Sequence, residues 1–477
     1  MSVILWNRDR LKSAIGDDLI FIDDNYDYQI ENVVFDNRKI IGNSLFVAKK
    51  GENNDGHNFI SDVIKKTNAI CLANASNFKD NHNNNSRVVL VKDTVKAMEK
   101  MAKFARDDIE GKVVGVTGSL GKTTTKELLY TCFSNYGKSF CNIQSFNNYF
   151  GVLTTLCNLP NDTKFAVIEM GMSATGEMEE LSRIVRPDIT IILNIAMAHI
   201  GFFEKEEFIA SAKSEIFIHQ KKNGFAILNR DSKYFNFLSD RAKKNNINTI
   251  YSFGEELSAN NLVQMLDYTI RDDQYFAKYK INNKEETFEF QSPDKNIARN
   301  LMTFLCIANV LGLDFEKCKN SVKEFGVPRG RNNIEKASFD GKNITIINGT
   351  YNAVNPIAFI SGLEVMKKLD TGNRKIAVFG DIREAGDKSE EFMLSLEKYI
   401  LDAKVGILIG IGEHIKVLCD SMKDKIQVMY FTDSTQVVPL IKNLLQNNDL
   451  IFIKASKGIK TWKILDELTG YPTDIYI

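Results

Sequence analysis

Neither sign of charge is in surplus in this 477-residue chain: Lys+Arg and Asp+Glu both number 61. A nucleic-acid backbone or an anionic membrane therefore has no basic excess to bind, and neither is expected as a partner. Cysteine is sparse and unpatterned. The seven residues from Cys71 to Cys419 are odd in number and never form Cys-x-x-Cys, which argues against a disulfide framework or a zinc site and for a reducing cytoplasm. No apolar run is long enough to span a bilayer; the most apolar region, Ile189 to Phe203, is broken by Asn194 and His199. The first ten residues place no basic stretch before an apolar core, so no secretory signal is expected. Only seven prolines, beside many Asn, Lys and Ile, read as base-composition bias more than function. No internal repeat is found, and a monomer is the expectation.

What is present is the composition of an ordinary globular protein, 44% hydrophobic and 26% charged, at a length that suits about three domains. Residues 1–106 mix short strands with turn chemistry: a strand at Ser44–Ala48, a helix from about Phe59 to Lys66, a strand at Ala69–Leu72 and a helical stretch near Val95–Phe104. Asn81–Asn85 reads as a surface loop, and Asp107-Asp-Ile-Glu-Gly as the first boundary. Over 107–328, β-branched runs such as Phe165–Ile168 and Ile189–Leu193 alternate with helical stretches, the last being Asn296–Leu311. That alternation predicts an α/β fold with a mostly parallel sheet and helices on both faces. Ligands bind beyond the carboxyl ends of such strands, where Glu169 and Asn194 fall. Over 329–477 the alternation repeats, with strands expected at Ile344–Ile347, Ile376–Phe379, Val405–Ile409, Val428–Tyr430 and Leu450–Ile453, giving a Rossmann-like domain.

The most informative segment is Val116-Thr-Gly-Ser-Leu-Gly-Lys-Thr-Thr124, between the Val113–Val116 run and a predicted helix. Gly118, Ser119, Leu120 and Gly121 form a loop whose backbone can wrap a polyphosphate. Lys122 supplies positive charge, the Thr123 hydroxyl can ligate Mg²⁺, and Thr124 continues the turn. The usual first glycine of a P-loop is replaced by Val116, leaving Thr-Gly-x-x-Gly-Lys-Thr-Thr. Glu169, ending a buried strand nearby, suits a Mg²⁺ that bridges ATP phosphates. Its plainer alternative is a strand-end carboxylate in a surface ion pair.

This loop variant resembles that of the Mur ligases, which join an amino acid or peptide to a carboxylate at the expense of ATP. Further blocks extend the resemblance in order along nearly the whole chain: Asp36-Asn-Arg38, Gly42–Phe59, Phe146-Asn-Asn148 with Gly151, Ile168-Glu-Met-Gly171 with Gly176-Glu177, Ile184–Asp188, Asn194–His199, Lys213–Phe217, Ile227–Asp231 and Gly380-Asp381. They are most similar to the branch that adds D-alanyl-D-alanine to UDP-N-acetylmuramoyl-tripeptide. The resemblance implies three α/β domains: one for the UDP-sugar, a central P-loop domain, and a Rossmann-like domain that swings inward. It also implies ATP and two Mg²⁺ ions, an acyl-phosphate intermediate, and the muramoyl-tripeptide and D-alanyl-D-alanine as partners. A sister ligase with another amino acceptor, and a nucleotide-binding relative without ligase activity, are the alternatives.

Carried over residue by residue, the resemblance makes Lys122, Lys213 and His199 catalytic. It gives Thr123, Glu169, His199 and Lys213 to the metal ions, with Lys213 carbamylated by CO₂. Asn296 and Arg331 join the ATP site, and Asp36, Arg38, Asn147 and Asn148 hold the substrate. Read plainly, Lys213 is a solvated helix lysine and His199 a satisfied polar residue. The departures cluster late in the chain. The family's Asp-Asp-Ser/Thr-Tyr-Asn-Ala-Asn-Pro is Asn348-Gly-Thr-Tyr-Asn-Ala-Val-Asn-Pro356, and its Lys-Gly-Ser-Arg is Lys454-Ala-Ser-Lys457. The family's His-Asn-x-x-Asn is Lys295-Asn296-Ile-Ala-Arg299, with Asn300 one place late. The Asn348–Pro356 segment is still expected to line the nucleotide cleft, and restoring acids at 348 and 349 to tighten ATP binding.

Overall fold

The computed structural model describes residues 3–51, 54–78, 85–196, 205–256, 261–271, 274–369 and 374–471. Among these residues twenty strands form three sheets with helices between them. The fold is α/β. The first sheet contains β1 (Leu19–Phe21), β2 (Asn32–Val34), β3 (Ser44–Val47), β4 (Ile70–Asn74) and β5 (Val88–Val91), in the order β1-β5-β4-β3-β2. β2 to β5 are parallel, and β1 pairs antiparallel with β5. β3 and β5 are buried on both faces, which is why Leu45-Phe-Val and Val88-Val-Leu-Val are continuous apolar runs. The Asn-rich tract falls largely outside the described residues.

One core serves the first sheet and the sheet that follows. It runs from Trp6, Leu11 and Val33 through Met98 and Met101 of the Thr94–Asp107 helix to Val152 and Leu156 of the Tyr149–Cys157 helix. Trp6 Nε1 donates to the Cys157 carbonyl at 2.7 Å. Beside it, the Asn158 side chain accepts from Val33 N–H and donates to Val33 C=O, both at 2.8 Å. That amide pairs with the outer edge of β2 as another strand would, closing an otherwise open edge.

The second sheet comprises β6 (Lys112–Thr117), β7 (Ser139–Cys141), β8 (Phe165–Glu169), β9 (Ile189–Ile192), β10 (Phe225–Asn229), β11 (Ile250–Gly254), β12 (Val263–Arg271), β13 (Gln274–Ile281) and β14 (Lys284–Phe290). Its order is β14-β13-β12-β11-β10-β9-β6-β8-β7. The strands β6 to β11 are parallel, as the sequence led one to expect. The antiparallel meander β12–β14 was not anticipated. Burial alternates along Gln274–Ile281 because one face is wet, and such a strand leaves no continuous apolar run. After β6 the chain moves toward β8 and β7, and after β9 it moves away toward β10. The carboxyl ends of β6 and β9 therefore flank a switch point, the position where open α/β sheets bind ligands.

The third sheet comprises β15 (Asn333–Phe339), β16 (Lys342–Gly349), β17 (Lys375–Gly380), β18 (Ile407–Ile411), β19 (Gln427–Phe431) and β20 (Leu450–Lys454). Its order is β15-β16-β20-β17-β18-β19, with β15 antiparallel to β16 and the rest parallel. Its two cores draw only on residues from Ile334 onward.

Candidate active site

The loop after β6 turns directly into the Lys122–Phe133 helix. Gly121 has φ +81°, a left-handed conformation that favours glycine, and a Cβ on Gly118 would come within 3.0 Å of Leu193 Cβ. Asn194, two residues beyond β9, laces the loop to the neighbouring strand. Its side chain accepts from Leu120 N–H at 2.9 Å and donates to Leu120 C=O at 3.2 Å, while its carbonyl accepts from Ser119 N–H at 3.0 Å. Two loop N–H groups expected to face a phosphate are thus taken up by Asn194. The N–H groups of the helix's opening turn, which no helical carbonyl can accept, remain for an anion. Lys122 Nζ lies 2.8 Å from the Gly118 carbonyl. Burial lowers its pKa, with Glu169 opposing that shift and Arg331 adding to it.

Glu169 ends β8 and is 1% exposed. The surface ion-pair alternative is therefore excluded. Asn142 grips its backbone from both sides, accepting from its N–H at 2.9 Å and donating to its C=O at 3.0 Å. Asn147 donates to Oε1 at 2.6 Å, whereas the buried Oε2 has no hydrogen-bond partner among the described residues. Gly171 permits that approach, since a Cβ there would lie 2.7 Å from Asn147 Oδ1. Asn148 caps the Tyr149–Cys157 helix through Gly151 N–H at 2.9 Å.

From the third sheet's side, Arg331 donates through Nη2 to Thr123 Oγ1 at 2.8 Å, and its guanidinium sits 3.9 Å from the Tyr351 ring centroid. The Tyr351 and Ser145 hydroxyls hydrogen-bond to each other. Lys454 is buried and donates to the carbonyls of Gly349 and Asn352, both at 3.2 Å. Burial first, and Arg331 second, push its pKa down to about 7. Asn296 donates to Ser361 Oγ at 3.0 Å and to Asp294, whose carboxylate caps the Lys295–Leu311 helix. Burial raises the pKa of Asp294.

These groups enclose one cavity of about 770 Å³, lined by residues 119–124, Asn147, Asn148, Glu169, Asn296, Asn300, Arg331, Tyr351, Asn352, Val354 and Lys454, among others. Most of the residues expected in an ATP and metal site therefore meet in one place. Lys213 is 1% exposed on the Glu206–Ser214 helix, so it is not a solvated lysine. Burial pushes its amine well below the usual lysine range, and the Lys122 charge adds to this. His199 lies outside the described residues. Asp36 and Arg38 lie outside this cavity, at the end of β2, bound to each other at 3.0 and 2.8 Å.

The segment 348–356 does line the cavity through Tyr351, Asn352 and Val354, and the packing of Asn348 and Gly349 weighs against acids there. Asn348 is fully buried inside β16, and its amide donates to Glu335 Oε1 at 2.7 Å, which an aspartate could not do. A Cβ on Gly349 would meet Asn332 Oδ1 at 2.9 Å and Phe452 Cε2 at 3.0 Å. Two acids do not fit this strand as it is packed. Sequence reasoning missed Asn142 and Lys126, whose importance shows only in the backbone groups they hold.

Two family models match the chain: the Mur ligase middle domain over residues 116–308 and the Mur ligase glutamate ligase domain over residues 331–457. A UDP-N-acetylmuramoyl-tripeptide--D-alanyl-D-alanine ligase from Rickettsia prowazekii is 32% identical, over 97% of this chain and 99% of its own length. One of the same name from Bacillus subtilis is 29% identical, over 93% and 94%. The fold is that of a MurF crystal structure from Acinetobacter baumannii, with a TM-score of 0.81 over 98% of this chain and 99% of that one, at 24% identity. MurF from Thermotoga maritima in complex with ADP gives a TM-score of 0.73 at 25% identity, over 92% of this chain and 96% of its own. With its P-loop, buried glutamate and third-sheet arginine around one cavity, and with these relatives matching it nearly end to end, the chain belongs to the Mur ligase family, within its MurF branch.

Proposed function

We propose that this chain is an ATP-dependent, ADP-forming amide ligase that adds D-alanyl-D-alanine to UDP-N-acetylmuramoyl-tripeptide in peptidoglycan precursor synthesis. The observation that carries this reading is the convergence of Lys122, Thr123 and Glu169 from the second sheet with Arg331 from the third around one cavity. The tripeptide's terminal carboxylate oxygen attacks the γ-phosphorus of ATP, and the bond to ADP breaks, giving an acyl phosphate. The dipeptide amine then attacks the acyl carbon, phosphate leaves, and the nitrogen loses a proton as the amide forms. Lys122 and Arg331 offset the charge of bringing two anions together. The third sheet's side closes the cavity and excludes water that would hydrolyse the acyl phosphate.

The residues present suit Mg²⁺: Glu169 Oε2 is buried without a partner among the described residues, and the Thr123 hydroxyl lines the same cavity. Thr123 and Glu169 would hold the metal, with His199 and Lys213 as the further ligands proposed from the resemblance. When bound, the metal supplies charge neutralisation on the phosphate oxygens. A carbamate on Lys213 is consistent with its burial and lowered pKa, because a neutral amine is the form that adds to CO₂, losing a proton as the C–N bond forms. Asp36, Arg38, Asn147 and Asn148 are assigned to the UDP-muramoyl substrate, with 1–106, 107–328 and 329–477 as the three domains. A cytoplasmic monomer is proposed; no helix among the described residues is long and apolar enough to cross a membrane. Phosphate release is the test. It should require UDP-muramoyl-tripeptide, ATP and D-alanyl-D-alanine together, and release with a single amino acid in place of the dipeptide would refute the acceptor.

A further inference from the structure

The loop 142–148 touches the surroundings of all three sheets. Toward the first sheet, the Phe146 ring lies 6.2 Å from that of Phe35, and Lys39 Nζ lies 4.9 Å from its centroid. Toward the second, Asn142 and Asn147 hold Glu169. Toward the third, Ser145 bonds to Tyr351. The loop does not hold this shape by preference, since Gln144 has φ +51°, a left-handed conformation that costs a non-glycine residue energy.

What holds it is a side chain that the reaction does not use. Lys126, one turn into the P-loop helix, is fully buried. Its Nζ lies 2.5 Å from the Asn142 carbonyl, 2.7 Å from the Gln144 carbonyl and 2.7 Å from Glu127 Oε1. An ammonium has three donors, and all three are met. Burying a charge is costly unless it is paired and hydrogen-bonded, and a methionine would fill the same space without that cost. The lysine is therefore matched to its directed bonds rather than to its volume.

We infer that Lys126 is a positioning residue of the phosphate and metal end of the site. It pins both carbonyls of the strained turn, so that Asn147 engages Glu169 Oε1 and leaves Oε2 free. The inference rests on the reading of Glu169 as a metal-facing carboxylate, and its test separates the two. ADP binding is measured by calorimetry with and without Mg²⁺ in the wild type, Lys126→Met and Lys126→Gln, alongside melting temperature, kcat and KM. In the wild type Mg²⁺ should strengthen ADP binding; indifference to Mg²⁺ there would refute the reading of Glu169 and this inference with it. In Lys126→Met the metal-free ADP affinity should stay unchanged while the Mg²⁺ enhancement falls about tenfold. Its kcat should fall with KM for D-alanyl-D-alanine unaltered. Lys126→Gln, with two donors on a shorter arm, should lie between. A lowered melting temperature with the Mg²⁺ enhancement intact would overturn the inference alone. So would failure of both variants to fold, which would make Lys126 a requirement of the fold rather than of the loop's aim.

Discussion

On the second sheet's side of the cavity, short amide side chains grip backbone. Asn142 holds both main-chain groups of Glu169, and the Asn194 amide holds Leu120 of the phosphate loop while its main-chain carbonyl holds Ser119. On the third sheet's side, long cationic side chains reach in from their own wall: Arg331 to the Thr123 hydroxyl and over Tyr351, and Lys454 to the carbonyls of Gly349 and Asn352 at the end of the neighbouring strand. On the first wall the groups held this way are main-chain groups at the end of β8 and in the loop after β6. The second is fixed by charge and stacking and can be rebuilt by exchanging neighbours. The departures from the family pattern read late in the sequence fall at Lys295–Arg299, around Asn348 and at Lys454–Lys457. At Asn348 and Gly349 the lost acids are matched by an amide bonded to Glu335 and by a glycine against Phe452.

The hardest blow to this contrast falls on the rigid wall. Lys122→Ala should lower turnover by ~10²–10³ while circular dichroism shows the fold retained; near-normal phosphate release would remove the loop from the chemistry. Next is Lys213→Ala, expected to cost about 10–100-fold in activity. Acetate or formate should restore part of it, and mass spectrometry of protein prepared in bicarbonate should find the carbamate that the alanine variant lacks. Smaller, and on the adaptable wall, is the pair Asn348→Asp with Gly349→Asp. It should destabilise the protein by about 1–3 kcal/mol through overpacking and a lost donor, and ATP binding measured by calorimetry should not tighten. The smallest effect concerns protons. With a pKa of about 7, the buried Lys454 is mostly neutral at pH 8. Phosphate anions favour its charged form and raise that pKa, so ADP binding at pH 8 should take up protons, seen as a buffer-dependent binding heat. Lys454→Met should reduce that uptake.

What was legible in the sequence follows the same division. Continuous apolar runs marked the parallel strands within a residue or two, as at Phe165–Glu169 and Leu450–Lys454. The P-loop residues and Glu169 could be placed because a strand end followed by a glycine turn leaves few alternatives. The meander β12–β14 could not, because half-wet strands carry only alternation. Nor could Lys126 or Asn142 be weighed from sequence, since their partners are carbonyls and amides that any residue type supplies. The surroundings of positions 348 and 349 were hidden for a related reason: Glu335 and Phe452, which pack against them, lie 13 and 103 residues away.

The core that runs from Trp6 to Leu156, with Asn158 sealing the edge of β2, also bears on how such an enzyme can be cut and recombined. A chimera exchanged near residue 107 would sever that core, strand the Trp6 indole and leave β2 open to pairing with a neighbouring molecule. To stay viable it would have to carry the 149–158 segment along. Exchange near residue 329 crosses no shared apolar core, since those of the third sheet begin at Ile334. Shuffling between relatives should therefore yield folded chains far more often at the second junction, which makes the inherited unit two sheets long at one end and one at the other.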